Sequence, residues 1–175
     1  MRERESARIL ATLNQALYRE GSDDSFCTAL YAGLELTSTG ALVELTSAGH
    51  PLPLILRADG RVETVGRPGT LIGAVPELDL NCETAQLLAG DALVLYTDGV
   101  PEARSAADGF FGQERLVALL EASSGATAST LAERIERDVL EFQHGDPRDD
   151  VAILVLRLPL DAPLGVWPEP ARAAG

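Results

Sequence analysis

The stretch "LVLYTDGVPEAR", residues 93–104, decides how the rest of the sequence is read. An apolar run ends in Thr97-Asp98-Gly99, and Val100-Pro101 then leads to an acid and a base. A run that is apolar on both faces suits a strand covered on both sides, so "ALVLY" (residues 92–96) is predicted as a central strand. It delivers one carboxylate, Asp98, at its tip. A second such run, "VAILVLRL" (residues 151–158), is predicted as a last buried strand, and Asp149 and Asp150 stand just before it. If the two strands are antiparallel neighbours, Asp98 and Asp149 converge at one edge of the sheet. Two close carboxylates repel unless a proton or a cation sits between them. With oxygen ligands alone the cation is a hard one: magnesium, manganese or calcium. The competing reading is structural, because Asp-Gly after a strand is a common turn and an acidic pair before one is a common solvated loop.

Working outward, residues 4–18 read as an amphipathic helix. Ile9, Leu10, Leu13, Ala16 and Leu17 recur at three- and four-residue steps, and Gly21 ends the pattern. From Phe26 the period changes to two, with Phe26, Thr28, Leu30, Ala32, Leu34 and Leu36 on one side. "TSTG" (37–40) turns into "ALVELTS", "AGHP" (48–51) interrupts, "LPLILR" resumes, and Ala58-Asp59-Gly60 turns into "RVETV". Residues 66–76 are rich in Gly and Pro and read as a surface loop, followed by a strand in "LDLNCETAQL". Two helices are expected at 113–122 and 127–142, the second with Leu131, Ile135, Val139 and Phe142 as its apolar stripe. Hairpin-spaced strands, then two helices, then one returning strand give an α+β layered domain with mainly antiparallel sheets. The domain is expected over residues 1–158, with a Pro-, Ala- and Gly-rich disordered tail over 159–175 that includes Trp167 as an exposed residue.

Composition narrows the function classes. The chain of 175 residues carries 27 acids against 14 bases, a formal charge of −13, which repels nucleic acid and anionic membranes. No segment has the length and apolarity of a membrane span, and the start lacks a signal peptide's apolar region, so cytoplasmic residence is the expectation. Cys27 and Cys82 are too few and too far apart for a disulfide framework or a zinc knuckle, and both are expected as buried thiols.

The segments "GDALVLYTDGVPEAR", "FFGQERL", "RDDVAILVLR" and "LTSAGHPLPLILRADG" resemble the bacterial PPM-type metal-dependent protein serine/threonine phosphatases. Within that family they are similar to the stage II sporulation protein E and sigma-factor regulator group, in the right order from about Ile9 to Leu158. The resemblance implies a sandwich of antiparallel sheets flanked by helices, with a two-metal centre of Mn2+ or Mg2+ at one end. It implies Asp98 and Asp149 as metal ligands, with Asp150 in the companion position, where it orients a ligand or a metal-bound water. The reaction implied is hydrolysis by a metal-activated water that attacks phosphorus in line, so no side-chain nucleophile is required.

The family's first metal motif, of the Asp-x-x-Gly-His-Gly type, precedes the helix that Ile9 to Leu17 resembles. The sequence holds no such segment, since Asp59-Gly60 and Asp108-Gly109 lack a following Gly-His-Gly, and the first strands of the sandwich are expected to be missing with it. Two functions therefore compete. One is a hydrolase, a protein phosphatase acting on a phosphorylated protein such as an anti-sigma-factor antagonist. The other is a catalytically inactive phosphatase-like module that holds partners, with a homodimer formed through the 4–18 helix.

Other residues near the motifs have two readings each. His50 is either a phosphate-facing acid or a turn histidine bonded to backbone, and the turn is preferred. His144 is expected at the surface. Arg104 and Arg148 could meet phosphate or balance the local carboxylates, and charge balance is preferred. Phe110 and Phe111 are expected to anchor their loop in the core before the next helix.

Overall fold

The computed structural model describes residues 3–20, 26–105, 108–144 and 149–160. Helix α1 (Glu3–Glu20) precedes two long strands, β1 (Ala29–Thr37) and β2 (Gly40–Ala48). Then come β3 (Leu54–Leu56), β4 (Val62–Thr64), β5 (Cys82–Leu88) and β6 (Ala92–Tyr96). A short ribbon of β7 (Arg104–Ser105) and β8 (Gly109–Phe110) leads to α2 (Gly112–Ala122), α3 (Ala128–Phe142) and the last strand, β9 (Ile153–Arg157). The strands form one sheet in the order β1-β2-β5 and a second in the order β4-β3-β6-β9, and every pairing between named strands is antiparallel.

Strand periodicity explains how these sheets stack. Alternate residues of a strand face opposite ways, and both faces of the central strands are apolar. Leu54 and Leu56 of β3, with Ala92, Val94 and Tyr96 of β6, pack under Leu116 and Leu120 of α2 and Leu131, Ile135 and Val139 of α3. The residues between them, Ile55 and Leu93, face the other way and meet Ala41, Val43, Leu45 and Leu87 of the first sheet. The outer face of that first sheet carries α1, through Leu10 packed with Ala48 and Ile72. The result is a four-layer arrangement of helix, sheet, sheet and helix pair. No described helix is long and apolar enough to cross a membrane.

A buried carboxylate ties the two sheets together at one end. Asp91, 2% exposed, follows the Gly90 turn between β5 and β6. Its Oδ2 accepts from the Leu88 backbone N–H at 3.0 Å and from Arg57 Nη1 at 2.8 Å, and its Oδ1 accepts from the Ala58 N–H at 2.9 Å. Arg57 also donates to the Gln86 carbonyl at 2.7 Å and pairs with Glu63 at 2.8 Å. The Gly90-Asp91 pair is thus a structural lock between turns.

The structure corrects four expectations. The face that α1 turns inward is Ser6, Leu10, Asn14 and Leu17, while Ile9 and Leu13 are 40% and 48% exposed. Hydrogen bonding overrides hydropathy here: Asn14 Nδ2 donates to the carbonyls of Val75 and Pro76, and the Gly73 N–H donates to Asn14 Oδ1. Ser6 accepts from the Thr46 hydroxyl at 3.0 Å. Second, β9 is an edge strand and not a buried one. Leu154 and Leu156 share the inner-sheet side with Leu93 and Leu95, yet they are 56% and 39% exposed because nothing described covers β9 on its outer flank. Leu34 and Leu36, on the inner side of β1, are exposed for the same reason. Third, Cys27 is exposed and Cys82 half-buried, each lying at the start of its extended segment and outside the core clusters. Fourth, only Phe111 anchors the core, edge-on to Phe142 at 5.4 Å between ring centroids, while Phe110 is exposed. Gly21, Arg148 and Trp167 lie outside the described residues.

Replacing Asp91 with Ala strands two backbone N–H groups and removes one partner of Arg57. This should destabilise the fold by about 2–4 kcal/mol, seen as a lower urea midpoint with an unchanged slope.

Candidate metal centre

The pairing of β6 with β9 builds the site. Tyr96 stands opposite Ile153, and the ladder runs on past the named strands, with the Thr97 N–H donating to the Ala152 carbonyl at 3.1 Å. The Thr97 hydroxyl then makes a two-way clamp. It donates to the Asp150 carbonyl at 2.8 Å and accepts from the Ala152 N–H at 2.9 Å. Directly beyond, Gly99 passes so close to the facing chain that a Cβ would lie 2.5 Å from the Asp150 oxygen. The Thr-Asp-Gly segment therefore has a division of labour. Threonine fastens the two segments, glycine allows the contact, and the aspartate between them is carried to the shared edge.

The loop that follows is held from below. The Val100 N–H donates to the Thr97 carbonyl at 3.0 Å and the Glu102 N–H to the Asp98 carbonyl at 2.9 Å, while Val100 and Ala103 are buried under the helices. Asp98 itself is half-buried, with Oδ1 accepting from the Gly99 N–H at 3.1 Å. Asp149 and Asp150 are exposed, and Asp149 Oδ1 accepts from the Asp150 N–H at 2.8 Å. Among the described residues no basic side chain forms an ion pair with any of the three.

Such a donor set, oxygen only and unneutralised, matches a hard divalent cation in kind. In number it is short. Among the described residues no three His, Cys, Asp or Glu side chains come together as a metal-holding group. The carboxylates come from the two segments joined by Thr97, with Asp98 on one side and Asp149 and Asp150 on the other.

His50 lies at the same end, on the turn after β2. Its Nδ1 is 2.9 Å from Thr28 Oγ1. Burial lowers its pKa below the usual histidine value, against the opposing pull of the Asp98 charge and the Tyr96 backbone. A half-buried ring held by the Thr28 hydroxyl favours the turn histidine of the sequence reading over a phosphate-facing acid, with a side-chain partner in place of the expected backbone one. His144 is exposed, as expected. Arg104 stacks on Phe110, 4.3 Å from the ring centroid, and among the described residues forms no ion pair with Asp98, Asp149 or Asp150. The residues that sequence reasoning missed are Thr97 and Gly99. The only signal they offered was a hydroxyl and a glycine flanking the acid at the end of a buried strand.

A sandwich of antiparallel sheets between helices is the fold this chain shares with solved bacterial phosphatase domains of the PP2C type. The chain belongs to the SpoIIE (Stage II sporulation protein E) family, whose profile matches residues 1–159. It is 28% identical over 144 residues to protein IcfG of Synechocystis sp., covering 82% of this chain and 22% of that protein. It is 26% identical over 152 residues to the phosphoserine phosphatase RsbU of Bacillus subtilis, covering 86% of this chain and 44% of that one. The chain thus spans less than half the length of either relative. Among solved structures, the Mn-presoaked phosphatase domain of the cell fate determinant SpoIIE from Bacillus subtilis superposes with a TM-score of 0.63 at 20% identity, over 88% of this chain and 66% of that one.

Removing the clamp should be measurable in the fold itself. Thr97→Val leaves the Asp150 carbonyl and the Ala152 N–H without their hydroxyl partner and should cost about 1–2 kcal/mol. Gly99→Ala forces the two segments apart and should cost about 1–3 kcal/mol. Both are read as a lower thermal midpoint, and a wild-type midpoint in Gly99→Ala would contradict the close approach.

Proposed function

We propose that the chain is a protein serine/threonine phosphatase of the sigma-factor regulatory type, hydrolysing phosphoserine or phosphothreonine with a metal-activated water. The observation that supports the reading is the Thr97 clamp, which joins the segment carrying Asp98 to the one carrying Asp149 and Asp150 in a chain of the SpoIIE family. Asp98 and Asp149 would hold Mn2+ or Mg2+, and Asp150 would orient a ligand or a bound water. When bound, such an ion supplies Lewis acidity toward a phosphoryl oxygen and lowers the pKa of its water.

The chain's own residues supply the rest. The half-buried Asp98 is fixed by its backbone neighbours, whereas Asp149 and Asp150 stand open to solvent, where a phosphorylated side chain on another protein can approach. The substrate class is a phosphorylated protein, and the similarity to RsbU supports a phosphorylated anti-sigma-factor antagonist. The competing reading, an inactive module that holds partners, is separated from this one by the same experiment.

Hydrolysis of a phosphoserine peptide should require manganese or magnesium and stop on chelation. Asp98→Ala, still folded by circular dichroism, should lose at least about a hundredfold in kcat/KM, since even residues behind a metal ligand are worth 10–100-fold. Equal turnover by wild type and Asp98→Ala would sink the reading. A folded wild type with no metal-dependent turnover would leave the binding module as the function.

A further inference from the structure

His50 touches both sheets at the carboxylate edge. Its turn is rigid by construction: the Ser47 hydroxyl donates to the His50 carbonyl at 2.8 Å, and Gly49 adopts φ +73° with the Leu71 side chain 2.4 Å from where a Cβ would stand. On one side the ring meets Thr28, just ahead of β1, at 2.9 Å. On the other lies the backbone of Tyr96, the last residue of β6 and two positions before Asp98, near enough to raise the ring's pKa.

The sheet register explains why that backbone needs the ring. Strand β3 begins at Leu54, opposite Val94, so the ladder on that side of β6 stops before Tyr96. A strand-end carbonyl left without a ladder partner at a half-covered edge must find another donor. An imidazole is suited to this, because a neutral ring offers one nitrogen that donates and one that accepts.

We propose that His50 is a positioning residue for the carboxylate edge: held by Thr28, its ring donates to the Tyr96 carbonyl, replaces the missing strand partner, and fixes the direction in which β6 delivers Asp98. The proposal rests on Asp98 as a metal ligand for its functional consequence, but its structural half stands without metal. Burial that keeps the ring neutral is consistent with this role, since a neutral ring can serve both partners at once.

Two measurements on the full chain test it, each with His50→Gln, His50→Phe and Thr28→Val. The first is amide hydrogen exchange in the metal-free protein. In His50→Phe, exchange at residues 97–99 should accelerate at least about tenfold while the amides of β2 and β5 keep their protection. His50→Gln retains a donor and should recover most of that protection, and Thr28→Val should fall between. Unchanged exchange at 97–99, or loosening spread evenly over both sheets, overturns the proposal, and if His50→Phe does not fold, the Gln and Val variants carry the same comparison.

The second is manganese affinity by calorimetry. His50→Phe should weaken it about 10–100-fold, and His50→Gln should restore it. Local loosening with unchanged affinity overturns the functional half. Wild-type affinity in Asp98→Asn, or no manganese binding by the wild type, instead removes Asp98 as a ligand and leaves the exchange result to decide the structural half.

Discussion

One hydroxyl group holds the functional edge of this molecule together. Thr97 bonds both the Asp150 carbonyl and the Ala152 N–H, so two segments far apart in sequence meet at a fixed separation. Without that clamp the β6 and β9 ends lose two of the bonds that join them, and among the described residues no basic group forms an ion pair with Asp98, Asp149 or Asp150 to replace them. The stability of the edge therefore comes from backbone hydrogen bonds and from Val100 and Ala103 buried beneath it, not from charge pairing. The cation site proposed for this edge would need such a frame. Internal salt bridges would neutralise the carboxylates it needs.

Elsewhere the same economy applies with the opposite sign. Asp91 is buried and satisfied three times over, with Arg57 beside it, and serves as a strut between the turns of the two sheets. Two aspartates, each next to a glycine at an end of β6, thus have unlike roles. The one that precedes the strand is consumed by structure, and the one that follows it is left with lone pairs to spare.

Much of this was legible in the sequence because strand periodicity and strand ends are local signals. The two-faced apolar run of β6, the stripe of Leu131, Ile135 and Val139 on α3, and the antiparallel pairing of β6 with β9 that brings their ends to one edge all follow from spacing plus one assumption about pairing. What escaped depended on partners distant in sequence. The inward face of α1 contains Ser6 and Asn14 because the 73–76 loop offers carbonyls and an N–H that a hydropathy pattern cannot anticipate. The apolar run of β9 reads as buried, but its place at the edge of the sheet is a fact of topology and not of composition. The same holds for His50, whose two sequence readings are separated only by finding Thr28 and Tyr96 on either side of the ring. Family membership, in turn, rests on the order of the motifs over residues 1–159, and it says nothing of how the edge is held.

The placement of the carboxylates has a kinetic and thermodynamic side. Asp98 comes from β6, whereas Asp149 and Asp150 come from the entry to β9, and the ribbon and both helices of the second sheet's outer layer lie between them in the chain. Contacts of such long sequence separation form late, because the loop between them must first be closed. The edge is therefore complete only once the last strand has docked, and any ligand bridging its two halves binds the docked state alone. A ligand bound across the proposed site would then act as a latch on β9, adding stability that grows with the logarithm of its concentration above the dissociation constant. Folding and loading would in that case be a single equilibrium.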